Sequence, residues 1–445
     1  MGWFPSNDLH SATGCGGRVV TRPYNGIPHL PHKPQFTGEA MERTKLDHWI
    51  EQTEDIPRLT RENLETLQLR RLNETLARLK AREGFYRDFP EKLEALADLR
   101  KLPFTTAADL SAQPGKFLLT SQSEVSRIIS GATSGTTGTA KRVFYTEADT
   151  EHTVGFFAAG ISEMLSPGEK CLIAFPFSGP FGLGDLIARA VERLGAVPIK
   201  AGFGQTWGGL LDLVGKTQPE TYIGFPVPLL SLSRMYGKMF PVKRALVSGD
   251  ACPEGVMEEL ENALGGRLYP HYGSRECGLG GAVTCPAFDG MHLRENHIIP
   301  EIIDEQGNVL PDGKYGELVI TTIGAEAMPL IRYRTGDFTR LLPPCPCGGV
   351  TRRIDTVSRR EGILSIEELD GILFHIPELV DYRAAFDAQL SIEARTLREG
   401  VQRQIYDAVK VIYPGLQINV LTTRFRQSDR PMYLGKRHIV QERYV

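Results

Sequence analysis

An α/β fold with one large and one small domain is predicted by three observations. At 445 residues the chain is long for a single domain and comfortable for two, with ample length to bury a large core. Between residues 171 and 264, short apolar runs alternate with helix-patterned segments, as parallel strands joined by crossover helices require. Ahead of that alternation, β-branched pieces at Ile128-Ile129 and Val143-Phe144 flank a stretch dominated by glycine and small hydroxyl residues, which reads as strand, tight loop and strand.

Composition narrows the function classes. Charged residues make up 24% of the chain, no long run carries one sign and the formal net charge is −3, so neither nucleic acid nor an anionic membrane surface is an expected partner. No apolar run approaches the roughly 18–20 residues of a membrane-spanning helix, and no basic head precedes an apolar segment at the N-terminus, so a cytoplasmic protein is expected. Seven unevenly spaced cysteines do not read as a disulfide framework and are expected as thiols or metal ligands. The oligomeric state is not legible, a homodimer standing as one option.

In chain order, residues 1–40 are rich in Pro, Gly, His and Asn without periodicity; they are expected to be a poorly ordered extension, or to derive from an upstream start. Residues 45–100 are helical in pattern, with Leu64, Leu67, Leu72, Leu76 and Leu79 forming an interrupted stripe. In the glycine-rich loop, Gly131, Gly135 and Gly138 let backbone N–H groups approach an anion. Thr133, Ser134, Thr136, Thr137 and Thr139 add hydroxyl donors, and Lys141 adds a cation. That equipment suits a polyphosphate, although the same residue types also make plain turns. It is not the loop of kinases and ATPases, whose Gly-x4-Gly-Lys-Ser/Thr would need a glycine and a hydroxyl where Ala140 and Arg142 stand.

Strands are expected at 171–176, 196–199, 221–226 and 244–250, with helices at 185–194, from 210 and at 254–264. The ends of parallel strands are where ligands bind in such sheets. Phe177 and Phe181, beside glycines after the first of these strands, suit a flat wall for an apolar acid and equally suit loop anchors. Ser248-Gly249-Asp250 forms a strand-to-helix turn in which Asp250 is placed to cap the helix. Further on stand Tyr269-Pro-His-Tyr-Gly-Ser-Arg-Glu276 and Ile331-Arg-Tyr-Arg-Thr-Gly-Asp337.

Taken in this order, the hydroxyl-rich loop and these two motifs resemble the adenylate-forming superfamily of acyl-CoA synthetases, and within it the phenylacetate-CoA ligases. The resemblance implies a large adenylate-forming domain over 41–359, made of α/β subdomains plus a small β-barrel, and a small α+β lid over 360–445. It implies that the loop from Thr133 to Gly138 and Lys141 hold the phosphates of ATP. Ser248, Gly249 and Asp250 would pass the adenine ring, on which Tyr272, followed by Gly273, would pack. Glu276 would help to hold Mg2+, a hard cation suited to carboxylate oxygen, and Asp337 would accept hydrogen bonds from both ribose hydroxyls. In the family, the position of Phe177 and Phe181 lines the acyl pocket.

Arg359 falls on the arginine that reaches ribose and phosphate where the two domains join, but Arg360-Glu361-Gly362 replaces the usual acidic pair. The family's next hairpin, which helps form the thiol tunnel, is not recognisable in residues 365–377. The lid is expected to carry a helix near 390–409, a strand near 415–422 and a polar tail. Within that tail, Lys436 in a Gly-Lys context matches the lysine that reaches between acyl carboxylate and α-phosphate.

Cys285-x6-His292 and Cys345-Pro-Cys347 offer three thiolates and an imidazole, a set suited to a closed structural Zn2+ site, the alternative being independent buried thiols and a surface histidine. Cys252, Cys277 and His297 are substitutes. The implied reaction activates a carboxylic acid, aryl or arylacetic by kinship, to an acyl-adenylate with release of pyrophosphate, then transfers the acyl group to coenzyme A with release of AMP. Two other readings stay open at this level. One is an enzyme that passes AMP or the acyl group to another acceptor such as a carrier protein, and the other is a nucleotide-binding relative without catalysis.

Overall fold

The computed structural model describes residues 41–131, 141–177, 182–202, 204–359, 364–433 and 435–441. The expected loop ligands Thr133, Ser134, Gly135, Thr136, Thr137 and Gly138 lie outside these residues, as do Phe181, the extension 1–40 and the hinge positions 360–363.

The helical stretch expected over 45–100 resolves into α1 (Lys45–Thr53) and α2 (Arg61–Lys80) followed by irregular chain. A reciprocal cap between Thr60 and Asn63 starts α2, whose buried stripe contains the five leucines of the sequence pattern. Beyond it, Gly84 lies against the Lys116 carbonyl and Pro90 cannot continue a helix, so the path changes. After α3 (Ala107–Ala112), strands β1 (Arg127–Gly131) and β2 (Lys141–Tyr145) pair antiparallel, as the flanking β-branched pieces predict. Gly131 therefore stands opposite Lys141.

Helix α4 (Glu147–Ile161) leads into β3 (Lys170–Ala174), α5 (Leu183–Arg193), β4 (Val197–Lys200), α6 (Trp207–Thr217), β5 (Thr221–Gly224), α7 (Pro226–Tyr236), β6 (Arg244–Val247), α8 (Glu254–Leu264) and β7 (Leu268–Tyr272). Strands β3 to β7 are parallel, in the order β4-β3-β5-β6-β7. The sheet continues antiparallel through β8 (Ala282–Thr284) and β9 (Met291–Leu293). Beyond these come β10 (Ile298–Ile303), β11 (Gly316–Thr322), β12 (Tyr333–Thr339), β13 (Leu341–Leu342), β14 (Arg353–Ile354) and β15 (Ser358–Arg359). Of them, β14 and β13 extend the large sheet, while β10-β11-β12-β15 form a separate antiparallel sheet. Among the described residues that sheet is open, with β10 and β15 at its edges, where a small barrel is expected.

The chain leaves β3 for β4 on one side and returns to β5 on the other, so the topological switch point lies between β3 and β5. Phe175 and Phe225 stand just past the ends of these two strands, with ring centroids 5.0 Å apart. Beside them, Gly249 has φ +83°, and a Cβ there would come within 3.0 Å of both rings, which is why this turn needs glycine. The expected cap is not found: the N-cap of α8 is Pro253, which makes no side-chain cap bond, because the chain runs three residues past Asp250 before the helix begins.

The region expected as the lid contains α9 (Ile366–Leu373), β16 (Leu379–Phe386), β17 (Leu390–Thr396), α10 (Gln402–Ile412), β18 (Ile418–Arg424) and β19 (Val440–Gln441), in sheet order β18-β17-β16-β19. Leu390–Thr396 is thus a strand and not the start of a helix. Leu390, Ile392, Ala394 and Thr396 are buried while the residues between them are half-exposed, a period of two that the longer helix-like window obscured. Leu369, Leu379 and Ala384 of the lid share one apolar core with Leu229, Val256 and Leu260 of α7 and α8. Arg234 of α7 also donates to the Ile376 and Leu379 carbonyls at 3.1 and 2.7 Å. Among the described residues no helix is long and apolar enough to cross a membrane.

Candidate functional site

The antiparallel pairing of β1 with β2 sets Lys141 at the end of the glycine-rich loop, and its ammonium reaches Glu276, beyond the turn that follows β7. The Lys141 Nζ to Glu276 Oε1 distance is 2.5 Å. Tyr333 of β12 closes the group, accepting from Lys141 at 3.1 Å and donating to the same Glu276 oxygen at 3.2 Å. Burial raises the pKa of Glu276, but the attraction and hydrogen bond of Lys141 outweigh it and the net shift is downward. Glu276 is therefore a buried carboxylate kept ionised by a cation, which is a fit for Mg2+ at this position. The turn that carries it depends on Gly273, because a Cβ there would collide with the Leu279 carbonyl. Tyr333 was not singled out in the sequence. The signal was its position four residues before Asp337 in the same strand, although the register shift between β11 and β12 hides which face that strand presents.

Asp337 is buried and gathers two partners. Tyr272 donates its hydroxyl to Oδ2 at 2.8 Å, and Arg359 donates Nε to Oδ1 at 2.7 Å. Arg359 is held there by strand pairing, since β12 and β15 set Asp337 opposite Arg359. Each carboxylate oxygen keeps further acceptor capacity, as a diol ligand needs. On the next strand over, Ser248 hydrogen-bonds His271 Nδ1 at 2.8 Å. Phe177 packs against Gly184 at the start of α5, with the Lys200 ammonium 5.4 Å from its ring centroid.

Lys436 lies in the region expected as the lid and is exposed. Desolvation and then the Arg359 cation lower its pKa, against the opposing pull of Asp337, Asp250 and Glu276. Three carboxylates and one guanidinium thus act electrostatically on this ammonium. Asp250 is engaged by backbone groups, accepting from Ala251 N at 3.0 Å and from Arg437 N at 2.9 Å.

A second cluster lies at the far end of the antiparallel strands. Cys285, His292, Cys345 and Cys347 are all buried, and their ligating atoms lie within 4.8 Å of one another. The chain after β8, strand β9 and the chain between β13 and β14 supply them. Thr351 donates its hydroxyl to Asp47 at 2.8 Å, so the same oxygen accepts from His292 Nδ1 at 2.9 Å. That bond fixes the proton on Nδ1 and turns the Nε2 lone pair toward Cys347 Sγ, 3.5 Å away. Three thiols and an oriented imidazole with nothing else in the group fit a closed tetrahedral zinc site. The substitutes are elsewhere: Cys277 Sγ is hydrogen-bonded to Ser274, and His297 lies against His152.

Residues 132–327 match the family model of AMP-binding enzymes. A phenylacetate-coenzyme A ligase of Thermus thermophilus is 30% identical over 360 residues, which cover 74% of this chain and 79% of the relative. One from Escherichia coli is 32% identical over 318 residues, covering 67% and 71%. Among solved structures, a 2-hydroxyisobutyryl-CoA ligase in the postadenylation state with R3-HIB-AMP superposes with a TM-score of 0.71, at 20% identity and over 96% of both chains. The same ligase with 2-HIB-AMP and CoA in the thioesterification state gives 0.63, at 20% identity and over 85% and 90% of the two chains. At that identity the likeness speaks to the fold.

Proposed function

The chain belongs to the AMP-binding enzymes of the phenylacetate-CoA ligase kind, and on that premise we propose that it joins a carboxylic acid to coenzyme A through an acyl-adenylate. A carboxylate oxygen of the acid attacks the α-phosphorus of ATP and pyrophosphate leaves; the thiol sulfur of coenzyme A then attacks the acyl carbon and AMP leaves. The observation that carries this reading is convergence. Lys141 pairs with Glu276 and Arg359 with Asp337, and Lys436 feels the charges of Glu276, Asp337, Asp250 and Arg359, although about two thirds of the chain separates Lys141 from Lys436.

In this reading the residues catalyse by position and charge, with no covalent intermediate on the protein. Asp337 receives the ribose hydroxyls, Tyr272 and Arg359 hold that carboxylate, and Lys436 sits against charge that develops between acyl oxygen and phosphate. Glu276 is the group that would hold Mg2+, whose chemistry is to neutralise phosphate oxygens. An aryl or arylacetic acid is the proposed substrate class, supported by the names of the relatives and by Phe175 and Phe225 at the switch point. The cysteine–histidine cluster is proposed as a structural zinc site and the cytoplasm as the compartment.

ATP–pyrophosphate exchange across a panel of carboxylic acids, with and without coenzyme A, tests the proposal; absence of acid-dependent exchange for every acid would refute it. A narrower result is expected from Asp337→Ala. Losing hydrogen bonds to a charged acceptor should raise the KM for ATP roughly 10–100-fold while kcat changes little, as measured by initial rates at varied ATP. An unchanged KM would remove the ribose from Asp337.

A further inference from the structure

We propose that Asp250 is a positioning residue for Lys436: its carboxylate holds the lid's C-terminal tail by the backbone N–H of Arg437, and does not serve as a ligand for the nucleotide. The proposal rests on the functional reading above for what Lys436 does, but the contact itself is a matter of geometry.

Arg437 is the fixed point of the tail. Its guanidinium is buried, donates to Asp370 of α9 at 3.0 Å and to Asp381 of β16 at 3.0 Å, and lies 4.5 Å from the Tyr382 ring centroid and 4.8 Å from that of Tyr433. Asp381 in turn accepts from Met432 N at 2.7 Å, so both sides of the tail are tied to the lid. These bonds place the tail within the lid but give no direction relative to the large domain. Further back, the Gln427 and Asp429 carbonyls accept from Gly208 N and Trp207 N of α6, and next to Lys436 itself Arg437 N ties the tail to Asp250 Oδ2 at 2.9 Å. The other oxygen of Asp250 accepts from Ala251 N, so each oxygen has a backbone donor. A small cavity bordered by Phe225, Asp250, Tyr433, Gly435 and Arg437 adjoins the contact.

The groups that face Asp250 are Arg437 and Lys436 of the tail and Asp370 of α9. Burial, with Asp370 adding to it, pushes the Asp250 carboxyl up to about 6, while the Arg437 N–H and the two cations pull the other way. Above that pH the carboxylate is charged and the bond to Arg437 N is strongest. Below it the group is protonated and one charged acceptor is lost. Adenylation should therefore fall as pH falls through about 6.

The test is Asp250→Asn in the full chain, which mimics the protonated form at every pH. The expected result is a roughly tenfold lower turnover in ATP–pyrophosphate exchange, the scale for a hydrogen bond to a charged group, with no change in the KM for ATP. Thiolysis of a supplied acyl-adenylate by coenzyme A should be unchanged, and the limb near pH 6 should be absent. A raised KM for ATP at unchanged turnover would make Asp250 a nucleotide ligand, and equal losses in both half-reactions would make it merely structural; either overturns the proposal. Hydrogen–deuterium exchange of residues 435–441 reads the contact without turnover, and the Arg437 amide should exchange roughly tenfold faster in the variant. An unchanged rate refutes the contact. If the unmodified protein exchanges pyrophosphate with no acid, the functional reading fails, and this measurement still judges the anchor.

Discussion

Replacing Lys436 by alanine is expected to lower acyl-adenylate formation by roughly 10²–10³-fold, the scale for removing one preorganised donor from a transition state. The side chain is open to solvent, so the fold has little to lose from its truncation. What it brings is a single ammonium carried by the lid into a field already set by Asp337, Asp250 and Glu276 on one side and Arg359 on the other. None of those groups can replace it, since the carboxylates would repel developing negative charge and Arg359 is committed to Asp337 at 2.7 Å. Thiolysis of a supplied acyl-adenylate needs no bond to phosphorus to form, so it should fall far less. The two half-reactions can be followed separately, by pyrophosphate exchange and by loss of free thiol. Equal losses in both would mean that Lys436 holds the lid together and does not act on the phosphate.

The same arrangement explains what could be read from the sequence and what could not. Local residue types were enough for the strands that flank the glycine-rich loop and for the turn between Tyr272 and Glu276, whereas the strand that carries Asp337 was seen only as a motif. Alternation of apolar runs gave the parallel strands β3 to β6 to within three residues, but not β7. In the lid the same signal misled, because Leu390 to Thr396 is a buried strand whose apolar residues run on toward α10 and simulate one long helix. Arg437 was hidden for a different reason. An arginine in a polar tail is ordinarily solvated, and only Asp370 and Asp381, 67 and 56 positions away in sequence, make it buried. Tyr333 and the backbone bonds of Asp250 are likewise products of tertiary pairing, which no local pattern records. The cysteines and the histidine were legible as a donor set, but their convergence depends on β14 pairing with β9 across a long loop excursion.

Removal of the cysteine–histidine site is expected to give the largest loss of stability. Cys345→Ser should abolish stoichiometric zinc and lower the melting temperature by roughly 10 °C, on the basis of about 3–5 kcal/mol for a broken buried site and ~2–4 °C per kcal/mol for a large domain. The cluster joins three stretches: the chain after β8, strand β9 and the segment before β14. Through Thr351 and Asp47 it also ties that corner to α1, since Asp47 accepts from the Val350 and Thr351 backbone at 2.6 and 3.3 Å. Cys285 and Cys345 stand 3.7 Å apart, a weak contact between thiols that a metal would replace by strong bonds. Asp47→Asn supplies the graded case. It leaves all four ligands in place and weakens the bonds that Asp47 accepts from Val350 and Thr351, through which His292 is oriented, so zinc should remain bound with an affinity lower by roughly 10-fold. Metal analysis of the purified protein and melting curves with and without chelator measure both outcomes. A zinc-free protein whose melting temperature is the same with Cys345 or with serine would show that four buried thiol and imidazole groups pack here without a metal.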